Sequence, residues 1–482
     1  MHRAPLPSSS SSALALALFV GLALGACATS TIAPGSDAAV LDGSAPSRER
    51  RVPDRAVVAL VGRDATSTWW LEERVAGQPI YLGEHELGPR SLVRLERDRI
   101  VVWAPAEDER LVDATLHASG DWSAVGVDAS NHVFLARGDV RGLRARITLD
   151  DPAIATDPWA AIGGFAPELR VASLTESGIS VAADGEDVVV AIPTRESALL
   201  AYRWSWTGAA FARGPRTLVS PSIAVSPIMG IGGSYDDFDS YVGPYLLHLG
   251  IDAATGRAFV ATYTDQRRVD RHDAANGTHH SLLRDVLYPR ENTSDVLVVG
   301  IDRDGSIAFS TIVGTVDVED ELQGLAVGPT RVAVFGRSRR ELGRDNTELH
   351  AMVAELTHEG VPLGTSTLDL ESSALVEAAA YDGDTLYVGG SAGWEQNPNG
   401  RSLFTAGHAY LARLDGAAPR TVTRLDALLP ATAPASELRA LTVQGGMLFT
   451  GGHERGPLTH TGDGDRSRIR SDAWWIERPL SR

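Results

Sequence analysis

Ala379-Ala380-Tyr381-Asp382-Gly383-Asp384-Thr385-Leu386-Tyr387-Val388-Gly389-Gly390 sets two apolar, alternating runs on either side of a Gly-Asp turn. The arrangement recurs at 325–336 around Pro329-Thr330 and at 441–452 around Gly445-Gly446. Short alternating runs joined by two or three turn residues read as β-hairpins. After a polar stretch of variable length each hairpin is followed by a third strand: His350–Leu356, His408–Leu414 and Asp472–Arg478. Leu363–Leu370 and Thr421–Leu428 supply a fourth in the first two units. Four antiparallel strands recurring at roughly 50–60 residues are the pattern of a propeller blade.

Working outward, 178–192 forms a hairpin about Asp184-Gly185, with Ala198–Trp204 as its third strand. Residues 247–263 turn at Ala254-Thr255-Gly256 and continue in Asp295–Ile301 and Ile307–Ile312. Leu111–Val127 with His132–Arg137 gives a further unit, and Thr68–Arg74, which echoes Asp472–Arg478, marks one more. The chain is thus expected to be all-β: a propeller of about seven four-stranded blades over 54–482, with six or eight left open because units before residue 170 are hard to phase. The last unit runs out before its fourth strand. Residues 55–62 are expected to supply it, because an unclosed ring leaves a sheet edge and face exposed.

The amino terminus reads as an address. Basic His2 and Arg3, a Ser run and the apolar stretch Ala13–Ala26 make 1–26 a secretory signal, too short for a spanning helix. Leu24-Gly25-Ala26-Cys27 resembles the bacterial lipobox, and Cys27 is the only cysteine in the chain. Lipidation at Cys27 would anchor the protein in a membrane. Ala28, rather than Asp, after the cysteine points to the outer membrane of a bacterial cell envelope. Residues 27–53, rich in small and polar residues, read as a flexible tether. Lipobox and propeller repeats together resemble the uncharacterised repeat lipoproteins of myxobacteria. That resemblance implies architecture and compartment and carries over no catalytic residue.

Composition narrows the partners. Across 482 residues the formal charge is −18, which argues against capture of a nucleic-acid backbone. The sequence contains no Lys, so a Schiff-base lysine and a Walker-type lysine are excluded. One cysteine excludes intrachain disulfides and thiolate metal clusters.

In an antiparallel meander, the turns joining strands one to two and three to four fall at one end. The two-to-three connectors and the blade-to-blade links fall at the other. Here the first set is minimal, whereas the connectors 264–293, 337–349, 391–407 and 453–471 and the links near 150–168 and 222–244 are long and polar. A one-sided distribution fits a functional rim on a rigid scaffold. Candidate ligand-binding residues on it are Tyr235, Asp236, Asp237, Asp239, Trp394, His453, His460, Asp463 and Asp465. The carboxylates beside Gly could hold Ca²⁺, although neither run has the EF-hand spacing and solvated acidic loops account for the same residues. His272, His279, His280, His350 and His408 join His453 and His460 as imidazoles that could bind Zn²⁺ or Cu²⁺, without a recognised ligand spacing. Gly389–Gly393 matches G-x-S-x-G, but a strand running into a polar loop is not a nucleophile elbow. The paired tryptophans are expected to pack between blades, and Trp394, placed in a loop, to offer a stacking platform. A non-catalytic binding or scaffold protein for an envelope protein, peptide or glycan is therefore the leading expectation. A metal-dependent hydrolase or lyase at the channel mouth is the alternative, and a quinone-dependent redox propeller lacks its blade motif.

Overall fold

The structure is a computed structural model. It describes residues 29–32, 48–74, 79–81, 84–85, 89–130, 132–152, 154, 179–193, 199–219, 247–264, 268–273, 278–283, 295–314, 319–343, 346–368, 370, 373–394, 408–418, 420–424, 436–455, 459–460, 467–468 and 471–480.

Seven four-stranded antiparallel sheets follow one another around a ring. Blade 1 comprises Arg55–Arg63, Thr68–Arg74, Arg90–Leu95 and Arg99–Trp103. Blade 2 comprises Arg110–Leu116, Trp122–Val127, Val133–Asp139 and Gly142–Thr148. Blade 3 is built from Ser180–Asp184, Asp187–Pro193, Leu199–Trp206 and Phe211–Val219. Blade 4 takes His248–Ile251, Ala258–Thr264, Asp295–Ile301 and Ile307–Val313. Blade 5 takes Glu319–Val327, Arg331–Gly343, Asn346–Thr357 and Pro362–Leu368. Blade 6 has Ser373–Asp382, Thr385–Trp394, His408–Asp415 and Thr421–Arg424. Blade 7 has Ser436–Gln444, Met447–Arg455 and Ser471–Pro479, completed by Arg48–Val52. First strands of successive blades touch in cyclic order, and blade 7 returns to blade 1.

Packing explains the closure. Each blade is apolar on both faces, and the described residues form seven buried clusters, one at each blade–blade boundary. Adjacent tryptophans serve opposite boundaries because neighbouring side chains on a strand point to opposite faces. Trp69 packs with blade 2, while Trp70 meets Trp475 of blade 7 edge-on at 6.3 Å. Trp474 faces blade 6.

Three expectations are corrected. The closing strand is Arg48–Val52, not 55–62; the latter stretch is the innermost strand of blade 1. Placing the closing strand one hairpin earlier lets Val52 and Val57 add to the seam that Trp70 and Trp475 occupy. The span read as tether, 27–53, therefore contributes a strand, and a second piece of it, Thr29–Ile32, lies parallel to the outer strand of blade 5. Thr68–Arg74 is also the second strand of its blade, not a counterpart of the third strand Ser471–Pro479. No helix among the described residues is long and apolar enough to cross a membrane.

A recurrent irregularity ties sequence to geometry. In blades 2, 5, 6 and 7 the first strand carries one extra residue: Val112, Gln323, Glu377 and Arg439. The residue preceding each bulge faces a glycine: Leu111–Gly126, Leu322–Gly336, Val376–Gly390 and Leu438–Gly452. A Cβ on Gly390 would lie 1.9 Å from the Leu375 carbonyl oxygen, and one on Gly452 at 1.9 Å from that of Glu437. The second glycine of each Gly-Gly pair is thus the space into which the bulged strand bends. Bulges re-aim side chains. In blades 6 and 7 they re-aim a Glu and an Arg.

Candidate functional site

The long connectors share one face, as strand alternation requires. Between the second and third strands of blade 4, Arg268–Asp273 pairs with Thr278–Leu283 as an added hairpin. In blade 5 the second and third strands run on past the sheet and remain paired as far as Gly343 and Asn346. Blades 1 and 7 exchange strands there: Ser467–Arg468 pairs with Thr459–His460 on one side and Pro79–Tyr81 on the other. That small sheet spans the seam at which the ring closes.

At this end of the inner strands the re-aimed side chains meet. Arg439 lies between two carboxylates, with Nη1 3.1 Å from Glu377 Oε1 and Nη2 2.8 Å from Glu437 Oε2. His453 stands opposite Glu437 in register, its Nε2 3.3 Å from the same Oε2. Glu377, Glu437 and His453 are buried; Arg439 is about one-third exposed at 34%. Arg439 thus links carboxylates of two neighbouring blades, and His453 adds an imidazole on the Glu437 side.

The surroundings are also charged. Glu454 faces Arg51 at 2.8 Å, and burial holds its carboxyl above the usual range despite the arginine. In blade 1, buried Glu73 pairs with Arg90 at 3.3 Å, and Arg90 donates to the Val112 carbonyl at the blade 2 bulge. Glu72 is fully buried between Arg99 and Arg55. Asp113 accepts from Ser180 Oγ and Val181 N of blade 3, at 2.8 and 2.9 Å, and burial raises its pKa. Buried Asp320 accepts from Ser338 in blade 5. His248, at the start of blade 4, is pushed down to about 4 by burial, and its Nε2 has no hydrogen-bond partner.

Of the residues singled out from sequence, His453 joins this cluster. Trp394 ends the second strand of blade 6 opposite Ser373, so it belongs to a strand and not, as expected, to a loop. His460 lies in the seam-spanning sheet, opposite Ser467. His272 and His279 face one another across the added hairpin of blade 4. Tyr235, Asp236, Asp237, Asp239, Asp463, Asp465 and Cys27 lie outside the described residues. Among the described residues no group of three or more His, Cys, Asp or Glu side chains is arranged to hold a metal ion. Sequence reading missed Glu377, Glu437 and Arg439. The available signal was a charged residue inside an otherwise apolar first strand, one hairpin away from a Gly-Gly pair.

The opposite face is built differently. Its turns are short and cross-linked between blades. Arg420, fully buried, pairs with Glu355 of blade 5 at 2.6 Å and donates to the Asp384 carbonyl. Arg203 and Arg303 converge on Asp184, and His117 bridges the Gly185 carbonyl and Ser123. Thr217 and Thr311, each on a fourth strand, donate to Gly305 and Gly360 in the following blade at 2.6 and 2.7 Å. The left-handed φ of +88° and +83° at these glycines makes the turns tight enough to be reached.

No protein-family model matches this chain, and no curated protein sequence does. Solved structures resemble it in fold. The propeller domain of the Trilobed protease from Pyrococcus furiosus is 7% identical over 89% of this chain and 98% of that one, with a TM-score of 0.42. The endosialidase of phage phi92 is 8% identical over 91% and 70%, TM-score 0.41. An α-L-arabinanase from Penicillium chrysogenum is 10% identical over 77% and 94%, TM-score 0.38. The chain is a seven-bladed β-propeller. At such identities the likeness concerns architecture alone.

Proposed function

We propose that this chain is a lipid-anchored propeller of the bacterial cell envelope that binds a protein, peptide or glycan, without catalysis, through the face carrying its long connectors. One observation carries the reading. The added hairpin of blade 4, the extended hairpin of blade 5 and the seam-spanning sheet of blades 1 and 7 all rise on the same side of a rigid ring. Beneath them lies the Glu377–Arg439–Glu437–His453 cluster, which sets polar side chains of two blades at the connector end of the inner strands. Binding surfaces concentrate where loops are elaborated on a fixed scaffold.

Affinity enrichment from envelope extracts, eluted and identified by mass spectrometry, tests this. A partner should be recovered by the whole protein and lost when residues 268–283 are replaced by a short Gly-containing turn. A partner retained equally by both proteins would refute the assignment of the face. The hydrolase or lyase alternative draws on the same carboxylates and imidazole. It requires that Glu437→Gln abolish turnover of some envelope glycan or peptide while leaving its binding intact.

A further inference from the structure

We propose that acid parts blades 4 and 5 at the connector end of their shared boundary while the short-turn end stays latched, so that the added hairpin of blade 4 moves relative to the extended hairpin of blade 5. The bearing of this motion on a partner rests on the binding face proposed above; the motion itself does not.

At the connector end, other boundaries carry polar links between blades. Arg439 of blade 7 reaches Glu377 of blade 6, and Arg90 of blade 1 donates to the Val112 carbonyl of blade 2. Asp113 of blade 2 accepts from Ser180 and Val181 of blade 3. Between blades 4 and 5 the polar group at this end is His248, the first residue of its inner strand. Its register partner Ala261 and, beyond that, Val298 belong to the apolar cluster that fills the boundary with Leu322, Val332 and Val334 of blade 5. Opposed residues of a sheet share a face, so the imidazole stands on this side as well. Its Nε2 is sealed from solvent and has no hydrogen-bond partner.

The carboxylate that blade 5 brings to this boundary is Asp320, two residues before Leu322 on its strand, and it accepts from Ser338 of its own blade. On His248 no described charge acts: burial alone holds its value at about 4, against an ordinary 6.5. Protonation would put a cationic N–H where nothing accepts it, a heavier cost than burying the neutral ring. Farther out, Thr365 donates to the Gly314 carbonyl at 3.3 Å, a long bond.

The short-turn end is held by His358, in the three-to-four turn of blade 5. Its carbonyl accepts from Arg257 Nη1 of blade 4 at 2.7 Å, and its Nε2 donates to the Gly328 carbonyl at 3.0 Å. Its ring lies 5.2 Å from that of Phe259, and its Nδ1 is 3.5 Å from Asp252 Oδ2 of blade 4. Burial raises the Asp252 carboxyl, but Thr255 Oγ1 at 2.6 Å, Ala254 N at 3.0 Å and His358 together hold it below its ordinary range. A proton gained by His358 therefore meets an ionised carboxylate, and acid that loosens one end of the boundary tightens the other. Thr311, donating to the Gly360 carbonyl at 2.7 Å, adds a bond with no titratable member.

Linkage sets the size of the effect. His248 returns to its ordinary value once the boundary opens, so the open fraction should rise about 20-fold between pH 7 and pH 5. Thiol accessibility reads the two ends separately. In a full-length Cys27→Ser background, which has no other cysteine, Ala261→Cys reports on the connector end and Val332→Cys on the short-turn end. Both would be labelled with 4,4′-dithiodipyridine across that pH range, and the ratio of their rates cancels the common effect of pH on thiol reactivity. The ratio of Ala261→Cys to Val332→Cys should rise about 20-fold and stay flat when His248→Phe or His248→Leu is added. A flat ratio without those substitutions, or a rise that survives both of them, would overturn the proposal. So would equal acceleration at the two positions, which marks global loosening. Asp252→Asn should release the latch, so that Val332→Cys accelerates alongside Ala261→Cys at pH 5; a Val332→Cys rate that Asp252→Asn leaves unmoved would overturn the latch and the proposal with it. No partner enters this readout, so it can fail while the binding face stands, and the reverse.

Discussion

The two ends of the ring solve opposite problems. At the short-turn end, buried arginines are spent on neighbouring blades: Arg420 reaches Glu355 and the Asp384 carbonyl, and Arg203 reaches Asp184 and the Gly256 carbonyl. At the long-connector end, charges of one blade meet those of the next around strand bulges, and the guanidinium of Arg439 stays partly open to solvent. One end holds blades together; the other displays chemistry upon them. The difference teaches that a polar group's role here follows from whether a tight turn or a bulge presents it.

The largest test of this contrast is Arg420→Ala. It removes one partner of a buried pair and leaves Glu355 with the Tyr381 hydroxyl at 2.8 Å and the Arg331 guanidinium at 4.0 Å. Breaking such a pair costs about 3–5 kcal/mol, read as a lowered urea midpoint at unchanged slope. A loss no larger than that of a surface substitution would erase the distinction between the ends.

Gly452→Ala should come next. A Cβ there meets the Glu437 carbonyl oxygen and the Trp474 ring. Overpacking of this kind costs about 1–3 kcal/mol, and it should also weaken partner binding because Glu437 must move. Gly383→Ala is the control, since nothing lies within 4 Å of its Cβ position and only its left-handed φ of +59° is strained.

Acid should loosen the long-connector end through His248. Its folded value of about 4 lies below the ordinary 6.5, so the neutral form is favoured by folding. The stabilisation is complete above pH 6.5 and is lost as pH falls from there through about 4. Melting temperature should drop less steeply over that window in His248→Phe than in the parent protein. Parallel curves would show that the imidazole does not report on this end.

Smallest of all should be Arg144→Ala. Its partners Asp139 and Asp121 lie at the short-turn end, but Arg144 is 47% exposed. Exposed pairs contribute under about 1 kcal/mol, so burial rather than the presence of a salt bridge should govern stability at this face.

How much of this was legible beforehand follows from what each feature writes into the chain. Hairpins such as Asp382–Thr385 announce themselves, because a tight turn demands glycine and the strands alternate. A ring of about seven blades was readable for that reason, although the units before residue 170 left the exact number open. The closing strand was not, since Arg48-Glu49-Arg50-Arg51-Val52 is an outer strand with little apolar pattern, and its pairing with 473–477 is a contact between distant parts of the chain. Likewise Glu377 and Arg439 lie in different blades, and only the ring brings them together. His453 was singled out for the right end of the molecule, yet its partner Glu437 sits across a hairpin bulge that no spacing reveals.

Closure by Arg48–Val52 has a bearing on biogenesis. Among the blade strands, Arg48–Val52 is made first and must wait, unpaired, until Ser471–Pro479 has been made and lies beside it. Long-range pairings of this sort slow folding and leave intermediates prone to aggregate. The ring is therefore open until Arg48–Val52 meets Ser471–Pro479, and the last blade to be completed is the one built from distant parts of the chain.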